Sequence, residues 1–455
     1  MEYLSTRNNQ LKNNFTNIIF KGLSEEGGLF LPRKWPLINI DDLNNKSYEE
    51  LALHIIQPFV GNEISEADLS KIIFSTYNIF TNPKKAPLVQ IDDNKYILEL
   101  FYGPTLAFKD YALQFLGNLF SYLLKNKSNK ITILGATSGD TGSAAIEAFK
   151  GKKNINIFIL HPHNKVSKVQ RKQMTTVLNK NIFNIAVKGN FDDCQKIVKE
   201  LFIDKEIQNK TSLTAINSIN WARIMAQTVY YFWAYLQLGR DKVSFIVPSG
   251  NFGNIFSAHV AQLMGLPIKE LYLVTNQNDI LNQIISSGKM NLNKVTQTFS
   301  PSMDIQISSN FERQIFESVK NDSFIVKKIM QDFKINSQYL FDSNVKDHFQ
   351  NIYTSSSVSD RVILDTIKIF KERYNYLADP HTATGLSVLD NIRPNHAVVS
   401  LACAHPAKFS EVIEKAIGEV PILPKELKKI FDKKEKMTIL SNNTFDIKSF
   451  ILNNI

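Results

Sequence analysis

The chain has 455 residues, 44% hydrophobic and 21% charged, enough to bury a large core in two or three packed units, which excludes global disorder. Its formal charge of +10 comes from lysines scattered among asparagines and isoleucines, with no continuous basic tract, so nothing in it marks a nucleic-acid binder. Two cysteines exclude a disulfide framework, and no run of about 18 apolar residues offers a membrane span or signal core, so a cytoplasmic protein is expected.

Residues 1 to about 90 read as a leading unit. A polar start gives way to FKGLSEEGGLFLP, with a turn at Gly27-Gly28 and a stop at Pro32, and then to helical patterning in SYEELALHIIQPFV and SEADLSKIIFSTYNIF. From YILELFYG onward, short apolar runs alternate with helix-like stretches: ITILGA (131–136), INIFIL (155–160), IFNIAV (182–187), VSFIVP (243–248), ELYLVT (270–275) and HAVVSL (396–401). Between the first two of these, TSGDTGSAAIEAFKG is long enough for one turn and one helix, so the spacing predicts strand-helix-strand units, a parallel sheet and α/β architecture. The clearest helix is SINWARIMAQTVYYFWAYLQLG (218–239), whose bulky aromatics read as core packing. Residues 285–365 show mixed helix and loop, and YTSSSVSD within them reads as a turn or mobile connection.

Glycine-rich turns after the strands supply the first chemical clue. In VPSGNFGNIFSAHV, a strand is followed by Gly250, Asn251, Phe252, Gly253 and Asn254 and then a helix. Backbone N–H groups can converge there without Cβ obstruction, and the helix adds its unpaired donors, which suits a phosphate. The pattern is neither the dinucleotide fingerprint nor the nucleotide-triphosphatase loop. A second turn, LGATSGDTGSAA, gathers Thr137, Ser138, Asp140 and Thr141 at the end of another strand, where hydroxyls and free N–H groups can hold a carboxylate or a phosphate.

Lys109, in FYGPTLAFKD, opens a helix, where the positive end of the dipole disfavours a cation. It reads either as a surface lysine or as an amine whose pKa is lowered by burial and positive potential, able to attack a carbonyl and move protons. One such lysine beside one phosphate cradle suggests pyridoxal phosphate, which combines an aldehyde with a phosphate. Asp110 can orient that lysine or cap the helix, and the first turn favours the cap. His161, His163, His381 and His405 lack the partners a metal needs, so no metal site is expected.

These segments together resemble the threonine synthase family of the longer bacterial and fungal type. STRNNQLKNNFTNIIFKGLSEEGGLFLP is similar to the family's opening segment and GPTLAFKD to its cofactor-lysine motif; GATSGDTGSAA, NSINWARIMAQ, PSGNFGN, DPHTATG and AHPAKF follow in the family's order, from about residue 4 to about 410. The resemblance implies a fold-type II pyridoxal-phosphate enzyme with two three-layer α/β domains and an additional N-terminal domain, divided as 1–95, 96–225 (carrying the lysine) and 226–455 (carrying the phosphate loop). It implies a carbon-oxygen lyase that turns O-phospho-L-homoserine and water into L-threonine and phosphate, as a monomer or homodimer.

By the same resemblance, Lys109 bonds the cofactor, Gly250 to Asn254 cradle its phosphate, and Asn217, Asn220 and Arg223 extend the substrate pocket. Arg223 reads either as an oxyanion clamp or as a helix-surface arginine. Cys403 falls where the family usually has a threonine facing the pyridine nitrogen, and Asn8 where a glycine commonly follows Ser-Thr-Arg; both are departures. A thiol is a weak partner that leaves that nitrogen unprotonated. Two alternatives share these residues: another fold-type II enzyme, a threonine or serine dehydratase or a β-replacement synthase, disfavoured by the long opening unit and by TSGDTG, and a phosphate-binding regulator without catalysis, disfavoured by the retained lysine.

Overall fold

The computed structural model describes residues 1–125, 130–239 and 241–455. Two sheets organise it. One has six strands in the order Tyr353–Ser357, Ile268–Thr275, Val243–Pro248, Ala397–Ala402, Lys95–Glu99 and Leu88–Asp92. All neighbours are parallel except the last pair, a hairpin. The other sheet has five parallel strands in the order Thr438–Leu440, Ile182–Val187, Ile155–Pro162, Ile131–Ala136 and Ser212–Thr214. The central strands are mostly apolar, as strands covered on both faces tend to be; Val243–Pro248 and Ala397–Ala402 are buried at every position, Ser244 and Ser400 included.

Sheet membership crosses the segment boundaries expected from the sequence. The 95/96 boundary falls inside strand Lys95–Glu99, 225/226 falls inside helix Trp221–Leu238, and the C-terminal strand Thr438–Leu440 joins the five-stranded sheet. Parallel neighbours are joined by crossovers, so chain order and sheet order separate. YTSSSVSD is likewise no simple turn. Tyr353–Ser357 is the outer strand of the six-stranded sheet, in register with Leu271–Thr275. Its hydroxyl side chains suit a half-solvated edge, and this is what hides it among apolar strand patterns.

The opening segment forms a small antiparallel sheet, Asn8–Asn13, Tyr3–Ser5 and Phe30–Pro32, and packs into the main core through Tyr3 and Phe15. Helix Trp221–Leu238 runs through that core, buried along most of its length as its aromatic stripe predicted. Among the described residues, no helix is long and apolar enough to cross a membrane.

Candidate active site

The functional segments gather at the carboxyl ends of parallel strands, where α/β sheets bind ligands. The turn 249–252 follows Val243–Pro248, Cys403 follows Ala397–Ala402, and the loop 137–139 follows Ile131–Ala136. The loop carrying Lys109 lies against the loop after Ala397–Ala402: Phe108 N donates to Cys403 O at 2.8 Å and His405 N to Leu106 O at 3.0 Å.

Lys109 opens helix Lys109–Leu123 and is buried, with Nζ 3.8 Å from Asp140 Oδ2 and 4.8 Å from the centre of the Phe108 ring. Burial pushes its pKa down; Asp140 and Cys403 push the other way, and the charges of Lys408 and Arg223 add to the lowering. Its amine is thus drawn toward the neutral, nucleophilic form. Asp110 does not cap the helix. Its carboxylate turns back and accepts from Thr105 N and Thr105 Oγ1, both at 2.8 Å, closing the GPTLAFKD loop, while burial raises its pKa to about 6.

The turn after Val243–Pro248 has the backbone of an anion cradle. Phe252 stands at φ 62° at the start of helix Gly253–Leu263. A Cβ on Gly250 would come within 3.0 Å of Met303 Cα. Ser308 Oγ donates to Gly250 O at 2.8 Å, Ser309 Oγ to Asn251 Oδ1 at 3.0 Å, and Asn310 Nδ2 to Asn251 O at 3.0 Å. These bonds occupy the carbonyl side of the turn and leave its N–H side to a ligand. Asn254 Oδ1 accepts from the hydroxyls of Tyr230 and Tyr231. Tyr230 also meets the ring of Tyr111, two residues beyond Lys109, at 5.6 Å, so the lysine helix and the glycine turn are joined through Tyr230.

Three buried polar atoms here have no protein partner: Ser249 Oγ, Asn254 Nδ2 and Arg223 Nε. Arg223 is 3% exposed, its pKa is lowered by burial to about 10, and among the described residues its side chain donates from Nη1 to Ile216 O at 3.1 Å and to no other. A buried guanidinium without a carboxylate partner calls for an anion. These orphaned donors, the glycine turn and the buried amine fit a phosphate-bearing aldehyde such as pyridoxal phosphate.

The other expected site residues separate by environment. Thr137 Oγ1 accepts from Gly139 N and Gly142 N, each at 2.9 Å, and so shapes its own loop. Ser138 and Thr141 are half-buried and, among the described residues, make no side-chain hydrogen bond, which leaves their hydroxyls to a ligand. Asp140 accepts at Oδ1 from Gln170 Nε2 at 2.9 Å and from Lys408 Nζ at 2.8 Å. Burial opposes its charge, but Lys408, Lys109 and His381 outweigh that opposition and hold it below the usual carboxylate range. An ionised carboxylate only accepts, so Asp140 serves the two lysines and not an anionic substrate group.

Asn220 caps helix Trp221–Leu238, accepting from Ala222 N at 3.1 Å, and donates to Ile19 O at 2.9 Å. Asn217 is exposed. Cys403 is buried and burial raises its thiol pKa well above normal; its N–H donates to Thr382 Oγ1 at 2.8 Å, and its thiol reaches only Leu401 O at 4.0 Å. Asn8 donates to Glu26 Oε1 at 3.0 Å.

Sequence reasoning missed Lys408, which is 0% exposed, and the Asp379 network. Asp379 accepts from Ala404 N at 3.2 Å and from the Thr382 hydroxyl, and pairs with His381 Nδ1 at 2.9 Å. The only signal for Lys408 was a cation placed among small and apolar residues in AHPAKF.

Comparison with known proteins bears on the fold and the family. Residues 81–331 match the pyridoxal-phosphate dependent enzyme family, residues 2–77 match the threonine synthase N terminus, and residues 382–451 match the threonine synthase C-terminal region. The fold and site thus define a pyridoxal-phosphate-dependent enzyme. Threonine synthase of Pseudomonas aeruginosa is 44% identical over 99% of this chain and 98% of its own, and that of Saccharomyces cerevisiae 41% identical over 96% and 95%. The crystal structure of pyridoxal-phosphate-bound threonine synthase from Brucella melitensis superposes with a TM-score of 0.96 at 43% identity, covering 100% of this chain and 99% of that one. The chain belongs to the threonine synthase family.

Proposed function

We infer that this chain catalyses the threonine synthase reaction, in which O-phospho-L-homoserine and water give L-threonine and inorganic phosphate. The observation that carries the assignment of residues is the meeting of a buried lysine, a buried guanidinium with an unpartnered Nε and a glycine turn with free N–H groups. Pyridoxal phosphate, when bound, supplies an aldehyde for the substrate amine and an electron sink for carbanions at Cα and Cβ. Lys109 would hold the cofactor, and its amine would take and return protons at the substrate carbons. The N–H groups of 250–254, with Ser249 and Asn254, anchor the cofactor phosphate.

Arg223 takes an oxyanion of the substrate, and Ser138 and Thr141 donate hydroxyls to its carboxylate or phosphate. Cys403 closes the cofactor pocket as a neutral thiol. The two sheets form the walls of the cleft, and two buried, unpaired cysteines suit a reducing, cytoplasmic setting. Purified protein assayed for phosphate release from O-phospho-L-homoserine and for ammonia release from L-threonine tests the reading. Phosphate release with threonine formed is expected; ammonia release alone assigns a dehydratase instead.

A further inference from the structure

A second lysine shares the cleft. Lys408 stands on the turn Pro406–Phe409, just beyond the strand Ala397–Ala402 of the six-stranded sheet, and is fully buried. Its ammonium donates to Thr105 O at 2.7 Å and to Asp140 Oδ1 at 2.8 Å. Asp140 opens the helix Asp140–Phe149, which follows strand Ile131–Ala136 of the five-stranded sheet, so this ion pair joins elements of the two sheets. A desolvated ammonium is tolerated only with such partners.

The carboxylate therefore stands between two lysines at unequal distances, 2.8 Å from Lys408 and 3.8 Å from Lys109. Gln170 Nε2 adds a bond at 2.9 Å to the oxygen that Lys408 already holds. The contact to Lys109 is longer than a hydrogen bond. Thr105, whose carbonyl Lys408 grips, is the residue that Asp110 clamps, so one ring of contacts runs from Lys408 through Thr105 and Asp110 to Lys109 and back through Asp140.

We propose that Lys408 is a positioning residue for Lys109: it draws the Asp140 carboxylate across the cleft and fixes the Thr105 carbonyl, so that Lys109 is held near the anion without being locked to it as an ammonium. The proposal rests on the reading of Lys109 as the cofactor lysine. The charged and titratable groups that act on Lys109 are Asp140, Cys403, Lys408 and Arg223; His381 acts on Asp140, and Asp110 and His405 face Lys408. Removing Lys408 deletes a repelling cation and frees Asp140 to close on Lys109, and both changes favour the protonated amine. Removing the Asp140 charge does the reverse.

The test uses the full-length chain stripped of bound cofactor with hydroxylamine. Pyridoxal phosphate is added across a range of pH, and borohydride stops the reaction at early times. The neutral amine adds to the aldehyde, water leaves, and hydride reduces the resulting C=N bond to a stable secondary amine, which peptide mass assigns to a lysine. In Lys408→Met the pH of half-maximal capture at Lys109 rises by about one unit, near tenfold slower capture at neutral pH, and Lys408→Arg restores most of it. In Asp140→Asn it falls. A structural disturbance alone would move both variants in one direction, and that result, or an unmoved profile in either, overturns the proposal. If Lys408→Met does not fold, the shift in Asp140→Asn still decides, because no change or a rise there refutes the carboxylate's place beside Lys109. Absence of capture at Lys109 in the unmodified chain instead overturns the assignment of the cofactor lysine.

Discussion

Gly103→Ala isolates the clamp that holds the lysine loop. Gly103 has no positive φ, so its backbone accepts alanine and the cost is steric. The new Cβ would lie 2.4 Å from Asp110 Cβ and 2.6 Å from Asp110 Oδ2, where ordinary contact begins near 3.4 Å. Asp110 is 0% exposed and its two carboxylate oxygens hold Thr105 at 2.8 Å each, so it cannot swing aside without lengthening both bonds. Overpacking of this size costs about 1–3 kcal/mol, and weakening two hydrogen bonds to a charged group adds about 2, for roughly 3–5 kcal/mol in all. Urea denaturation of the holoenzyme measures this loss, and cofactor absorbance should decline with it because the loop leads into Lys109. The same substitution in an Asp110→Gly background should cost under about 1 kcal/mol, since the obstructing Cβ and carboxylate are both gone. An equal cost in both backgrounds would refute the clamp and assign the effect to the backbone.

Lys109→Ala should abolish turnover and remove the visible absorbance of bound cofactor; retention of both would exclude the lysine from its role. Arg223→Met should reduce kcat/KM for the phosphorylated substrate by about 100-fold or more while cofactor absorbance persists, and parallel loss of both signals would indicate scaffold damage. Glu312→Gln should weaken pyridoxal phosphate binding by roughly tenfold in a fluorescence titration. Glu312 accepts from Arg7 at 3.0 and 2.8 Å and from Thr6 Oγ1 at 2.6 Å, and its helix follows Asn310, which holds the phosphate turn. Burial lowers the pKa values of His161 and His405 to about 4, so the native state binds fewer protons than the unfolded chain below the ordinary histidine range. The melting temperature should therefore fall as pH drops from about 6.5 through 4, with a shallower slope in His161→Gln; an unchanged slope would contradict the buried neutral state.

Much of the architecture was legible because buried parallel strands are short apolar runs and the helices between them keep their period. Val243–Pro248 and Ile131–Ala136 stand at the residues their patterns marked. The hydroxyl-rich strand Tyr353–Ser357 was not legible, because an edge strand needs no apolar alternation and takes its place from a partner far along the chain. At the proposed site, Lys109 and Arg223 stood out as cations, which are costly to bury, and the glycine turn by its spacing after an apolar strand. Asn220 did not distinguish cap from ligand, since one amide serves either, and only the tertiary structure reveals that Ile19 and Ala222 already occupy it. Asp110 and Lys408 were misread or missed for a related reason. A carboxylate one residue into a helix looks like a cap, and a lysine whose partner is Asp140 carries no local sign of it.

A crystal structure of the full-length chain grown with pyridoxal phosphate decides whether one cofactor engages both halves of the cleft. Density continuous from Lys109 Nζ to the cofactor ring, with the phosphate seated on the N–H groups of 250–254, is the expected result. A cofactor joined to another lysine, or a phosphate seated in the 137–142 loop with the 250–254 turn empty, would contradict it.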